Sequence, residues 1–149
     1  MALELRRATE SDVPALLAQM QPFNEGERIP WQPERIERAL RRLLADESLG
    51  LVVVAIDAAT LHGYAVLTFG FDLEWGGRDA FVTELWVVPE ARGRGLGERL
   101  LQAADSHARA AGVGALHLVV RHENEGARRL YEREGFKAVP RLLMTKPLD

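Results

Sequence analysis

The stretch Glu84-Leu85-Trp86-Val87-Val88-Pro89-Glu90-Ala91-Arg92-Gly93-Arg94-Gly95-Leu96-Gly97 reads as the end of a strand, a stop and a helix start. Phe81 to Val88 is apolar and β-branched enough for a buried strand, and Pro89 stops the ladder because it lacks an N–H. Gly93, Gly95 and Gly97 then bring bare backbone to a helix marked on one face by Leu96, Leu100, Leu101, Ala104 and Ala108 and closed at Gly112. Unpartnered N–H groups and the positive end of the dipole suit such a helix start to a phosphate, and Arg92 and Arg94 add fixed positive charge. The spacing discriminates among uses of such a loop. G-x-G-x-x-G begins at Gly93 and Gly95 but meets Glu98 at its third position, and the Gly-Lys-Ser/Thr ending of a P-loop is missing. The stretch does fit R-x-x-G-x-G, at Arg92, Gly95 and Gly97.

Toward the N-terminus, the chain predicts a hairpin feeding this strand. Leu51 to Ile56 is a near-continuous apolar strand, Asp57 to Thr60 a turn, and Leu61 to Phe71 a second strand. Trp75-Gly76-Gly77, within Asp72 to Asp79, returns the chain antiparallel into the strand ending at Val88. Earlier, Leu3 to Arg7 alternates as a short strand, and Thr9 or Ser11 can cap a helix through about Met20 with Val13, Leu16, Leu17 and Met20 as its core face. Gln21 to Pro33 carries three prolines, a glycine, Phe23 and Trp31, which predicts a surface loop. Pro33 opens a second helix with Ile36, Leu40, Leu43 and Leu44 on its apolar stripe; its arginines interleave with Glu34 and Glu37, as on a solvated face.

Toward the C-terminus, Leu116 to Val120 reads as a strand. Asn124 caps a helix with Ala127, Leu130 and Tyr131 on one face, and Gly135 closes it before an extended segment from Phe136 and a last strand, Leu142 to Lys146. The run Asn124-Glu125-Gly126-Ala127-Arg128-Arg129-Leu130-Tyr131-Glu132-Arg133-Glu134-Gly135-Phe136, taken with the R-x-x-G-x-G match, resembles the GNAT family of acyl-CoA-dependent N-acyltransferases. The resemblance covers nearly the whole chain by element order and is specific from about Val82 to Phe136. It implies one α/β (α+β) domain over residues 1–149. That domain would hold a mixed, mostly antiparallel sheet of about six to seven strands, splayed in the middle and flanked by about four helices.

The family's chemistry, direct attack of an amine on the acetyl-CoA thioester, needs a base, an oxyanion donor and an acid for the departing thiolate. By resemblance, the coenzyme arm enters the gap between the Phe81–Val88 strand and Leu116–Val120, as though adding a strand, with backbone N–H groups near Trp86, Val87 and Val88 facing the thioester. The pyrophosphate falls on Arg92, Gly93, Arg94, Gly95, Leu96 and Gly97. Asn124 matches the asparagine that helps hold the arm or an ordered water, and is equally an N-cap. Tyr131 takes the place of the general acid. Glu84, a carboxylate in an apolar strand, is the candidate base, directly or through water, with His122 as rival; strand parity puts Glu84, Trp86 and Val88 on one face unless a bulge intervenes. Phe23, Trp31 and Trp75, with nearby acidic residues, are the candidate contacts for a primary amine on a small molecule or peptide.

Composition bounds the rest. A 149-residue chain that is 47% hydrophobic fits one domain, and a formal net charge of −3 gives no global reason to expect nucleic-acid or membrane binding. The absence of cysteine removes thiolate metal sites and cysteine nucleophiles, and the four histidines show no metal-ligand spacing. A soluble, cytoplasmic enzyme is the expectation, with no metal and with homodimerisation open; a non-catalytic acyl-CoA-binding or sensing module is the alternative.

Overall fold

The structure, a computed structural model, describes residues 2–149. It divides into a compact unit running through Val119 and a second unit, Val120–Asp149. The first unit is built on a five-stranded sheet in the order β1 (Glu4–Arg7), β2 (Gly50–Asp57), β3 (Thr60–Asp72), β4 (Gly77–Val87) and β5 (Leu116–Leu118). The first four strands run antiparallel to their neighbours and β5 runs parallel to β4, so the sheet is mixed.

Alternation along the central strands separates two cores. Val52, Val54, Tyr64 and Val66 face α1 (Val13–Gly26) and α2 (Pro33–Ala45), meeting Val13, Leu16, Met20 and Leu40. On the opposite face, Gly63 lies against α3 (Leu96–Ala110), where a β-carbon would meet the Trp86 carbonyl oxygen at 2.7 Å and Leu100 Cδ1 at 3.0 Å. Leu96, Leu100, Leu101, Ala104 and Ala108 are buried, the face their spacing predicts. A fully buried leucine such as Leu100 contributes roughly 1.5–3 kcal/mol of transfer free energy.

The start of α1 is tied to β1 by a charged pair. Arg6 Nη1 donates to Asp12 Oδ2 at 2.8 Å, Nη2 donates to Oδ1 at 2.9 Å, and the Thr9 amide donates to Oδ2 at 2.7 Å. The facing guanidinium, helped by the Thr9 bonds and opposed by burial, holds the Asp12 carboxyl below its ordinary range.

Three expectations change. The first helix runs on to Gly26 through Pro22, so Phe23 is helical and the expected loop begins later. Its stop is made by Arg28 at φ 59°, with Ile29 N–H donating to the Asn24 carbonyl and Arg28 N–H to that of Glu25, a left-handed cap usually given to glycine. The six to seven strands become five among the described residues: neither the segment from Phe136 nor Leu142–Lys146 is a strand. Leu142, Leu143 and Met144 stand 85%, 70% and 88% exposed; apolar composition does not make a strand by itself, because the backbone groups need a neighbouring ladder. The expected strand to Val120 is also shorter, ending at Leu118. In the second unit, α4 (Glu125–Arg133) is capped by Asn124 as expected.

The arginine face of α2 is tied to acidic neighbours: Arg41 pairs with Glu37 at 3.0 Å and with Glu10. Among the described residues, no helix is long and apolar enough to cross a membrane.

Asp12→Ala is expected to lower stability at neutral pH by about 1–2 kcal/mol in urea denaturation. Because the native carboxyl binds its proton less readily than the unfolded one, this advantage is present above about pH 4 and fades as pH falls through the depressed native value. Wild type and variant should therefore converge in acid; a constant gap would contradict the role given to Asp12.

Candidate active site

The site begins with a backbone irregularity. Along β3 and β4, Val66 faces Glu84 and Leu67 faces Val82, so Thr83 is an extra residue without a counterpart. Val82 is buried opposite Leu67, whereas Glu84 shares the face of Val66 and Tyr64 beneath α1 and α2. Simple alternation would leave Glu84 on the Val82 side, and the bulge re-aims it. Parallel pairing with β5 ends at the same place, at Val82 and Leu118, while β4 continues to Val87 with β3 alone. Among the described residues, β4 beyond Thr83 therefore has one edge with no strand paired to it, an open edge.

The Val88 N–H donates inward to the His62 carbonyl at 2.9 Å. Alternation then turns the N–H groups of Leu85 and Val87 to the open edge, and the Val87 carbonyl accepts there from Arg92 Nε at 2.9 Å. Of the expected Trp86, Val87 and Val88, only Val87 turns its amide to that edge; Leu85 joins it, which parity shows only once a single ladder bond is known.

On the α1 side, Tyr64 Oη donates to Glu84 Oε1 at 2.8 Å. Tyr64 is 0% exposed and opposes Trp86, so its contact with Glu84 is the diagonal one between neighbouring strands. Burial pushes the Glu84 carboxyl above its ordinary value, and the Tyr64 hydrogen bond opposes that rise. Burial, the Glu84 charge and the bond it donates all push the Tyr64 phenol up. Trp86 donates Nε1–H to Gln19 Oε1 at 3.0 Å, Phe23 stands edge-on to both Tyr64 and Trp86, and the Arg92 guanidinium lies 4.7 Å from the centre of a Trp86 ring. Tyr64 and Gln19 were invisible as site residues in the sequence, where one is a strand tyrosine and the other a helix polar residue.

The candidate acceptor residues separate. Phe23 joins the Tyr64–Trp86 group and Trp31 packs against the same core. Trp75 sits at the β3–β4 hairpin tip, its ring 5.9 Å from that of His117. His117 is itself held by Asp79 at 3.1 Å.

After Pro89–Ala91, a single 3₁₀ turn, Gly93 and Gly95 adopt φ 77° and 79°, and α3 starts at Leu96. No atom would obstruct a β-carbon at either glycine, so backbone conformation is what requires glycine there. Arg99 is the first residue to donate into the helix ladder, to the Gly95 carbonyl at 3.1 Å, which leaves the Leu96, Gly97 and Glu98 amides at the positive end of the dipole. Arg92 and Arg94 are exposed beside them. These residues fit a phosphate group.

In the second unit, Asn124 Oδ1 accepts from the Ala127 N–H at 3.2 Å, the N-cap role. Gly135 takes φ 95°, its N–H donates to Glu132, and Phe136 N–H donates to Tyr131. The Phe136 ring stands edge-on to Tyr131 at 6.1 Å, the apolar contact that accompanies this helix ending. His122 is exposed.

The sequence model of the acetyltransferase (GNAT) family matches residues 15–136. The chain belongs to the GNAT family. An uncharacterized N-acetyltransferase of Bacillus subtilis, YhfO, is 30% identical over 135 residues, covering 91% of this chain and 90% of its own. An integron cassette protein from the mobile metagenome of Cole Harbour Salt Marsh superposes with a TM-score of 0.86 at 32% identity, covering 97% of this chain and 90% of that one. A predicted acetyltransferase from Clostridium acetobutylicum, solved with acetyl-CoA, has the same fold at a TM-score of 0.84 and 19% identity, over 97% and 96% of the two chains. As a GNAT protein, this chain is an acetyl-CoA-dependent acyltransferase. Among the described residues, no group of three or more His, Asp or Glu side chains is arranged to hold a metal ion.

Gly95→Ala should destabilise the GNAT fold here by about 1–2 kcal/mol, since an L side chain is strained in the left-handed region even with open space around it. Equilibrium denaturation reads this; an unchanged midpoint would mean that the turn relaxes without loss.

Proposed function

We propose that the protein transfers acetyl from acetyl-CoA to a primary amine by direct attack, with Glu84 as the base, directly or through one water, and Tyr131 as the acid. The observation that carries this reading is the Glu84 carboxyl, partly buried on the face that the Thr83 bulge gives it and bonded to Tyr64. Its raised proton affinity suits a general base.

The remaining roles follow from the chain's own groups. The N–H groups of Leu85 and Val87 on the open edge of β4 hold the pantetheine arm as an added strand would be held, and polarise the thioester carbonyl. The amides of Leu96 and Gly97, with Arg92, Gly93, Arg94 and Gly95, take the pyrophosphate. Tyr131 donates its phenol proton to the sulfur as charge develops there. Asn124 caps α4 and so fixes the helix that carries Tyr131. Phe23 and Trp31 contribute to the acceptor side, where aromatic faces suit a cationic amine before it gives up its proton. The setting proposed is the cytoplasm, and the working unit a single domain.

Purified protein given acetyl-CoA and a panel of polyamines, aminoglycosides, amino acids and peptides should release free coenzyme A thiol with at least one acceptor. Tight coenzyme binding without release would support the acyl-CoA-sensing module instead. Glu84→Gln should lower kcat about 10²- to 10⁴-fold and remove the acidic limb of the pH–rate profile. Tyr131→Phe should lower turnover about 10²-fold or more while leaving coenzyme affinity within about twofold, and wild-type turnover would end the general-acid assignment.

A further inference from the structure

The bulge turns Glu84 toward Tyr64, but neither it nor the sheet ladder requires that the residue met there carry a hydroxyl. Tyr64 is fully buried, yet its hydroxyl is spent on a single carboxylate oxygen, Oε1, at 2.8 Å. A strand tyrosine serving only the core is replaceable by phenylalanine, because the ring supplies the apolar contact and the hydroxyl adds a polar atom that must be satisfied. Here the hydroxyl is satisfied by the proposed base, and by no other group among the described residues.

We propose that Tyr64 is the positioning residue of the Glu84 base: its buried hydroxyl fixes Oε1 and leaves Oε2 to take the proton. This rests on the assignment of Glu84 as base. The surroundings of the pair leave Tyr64 as the controlling group. From β3 the facing titratable group is Tyr64 itself, with Val66 directly opposite Glu84. The overlying α1 presents Gln19, whose Oε1 accepts from Trp86, Phe23, whose ring stands against Tyr64 and Trp86, and Asn24, whose Nδ2 donates to the Met20 carbonyl at 2.7 Å; all three are neutral. The core positions of α2, among them Leu40, Leu43 and Leu44, are apolar. Arg92 is on the neighbouring Trp86 ring and the Val87 carbonyl. Burial raises the proton affinity of Glu84 and the Tyr64 bond lowers it.

A bond donated to a carboxylate stabilises the ionised form, so its loss must raise the carboxyl pKa. The experiment compares wild type, Tyr64→Phe, Glu84→Gln and the double variant by ¹³C NMR titration of glutamate carboxyls in the free protein. The pH dependence of kcat/KM, with acetyl-CoA and one fixed amine from the panel, is measured alongside. The expected result is a carboxyl resonance, absent in Glu84→Gln, whose midpoint moves up by about one pH unit in Tyr64→Phe; the acidic limb should move with it, making the variant about tenfold slower below the limb and equal to wild type above it. In the Glu84→Gln background, Tyr64→Phe should have no further effect on the pH profile. An unmoved midpoint, or an equal loss of rate at every pH, overturns the proposal and leaves Tyr64 a core residue. If Glu84→Gln keeps the acidic limb, the base assignment falls and this proposal with it. If Glu84→Gln loses the limb and Tyr64→Phe leaves it in place, only the Tyr64 role falls. Should Tyr64→Phe not fold, Glu84→Asp, which draws the carboxylate back from the hydroxyl, should raise the limb in the same direction, and an unmoved limb there overturns the proposal.

Discussion

Thr83 is one residue more than β3 can match, and the chemistry proposed for this protein depends on where that surplus falls. On its N-terminal side, β4 is held by β3 and β5 and turns Val82 into the core. On its C-terminal side the strand keeps β3, loses β5 and turns Glu84 toward Tyr64. One backbone irregularity thus coincides with two changes, a carboxylate moved to the α1 side and a strand edge left with amides to give. Bulges next to functional sites commonly act this way, because an unpaired residue re-aims those that follow.

The glycine turn depends on the same strand. The Val87 carbonyl faces the open edge and accepts from Arg92, which also lies over the Trp86 ring, so the first arginine of the turn is anchored to the strand that precedes it. Trp86 in turn bonds Gln19 and meets Phe23 on α1. Side chains that touch therefore link the proposed pyrophosphate turn to the proposed acceptor side.

What was legible in the sequence was local. Pro89, the glycines and the apolar stripe of α3 lie within a few residues of what they specify, and so do Asn124 and Gly135 at the ends of α4. The GNAT family was legible for the same reason, since its two motifs are short turns and helix starts. What was hidden depended on partners distant in the chain. One exception is local: α1 runs past Pro22 to Gly26 and stops where Arg28 takes a glycine-like conformation, against the loop that proline and glycine had suggested. Leu142 to Lys146 has the composition of a strand without its ladder. The diagonal contact of Tyr64 with Glu84 exists only because Thr83 is skipped, and no periodicity within β3 or β4 alone reveals a skip in their mutual register.

The central claim is that the β4 edge beyond Thr83 and the adjoining glycine turn form one surface for acyl-coenzyme A. Amide hydrogen exchange with and without saturating coenzyme A tests it most directly. The account predicts slowed exchange at Leu85 and Val87 and through Gly93 to Gly97, with Val88, already bonded to His62, little changed. Protection confined to other segments, with the Leu85, Val87 and glycine-turn amides unaltered, would contradict it.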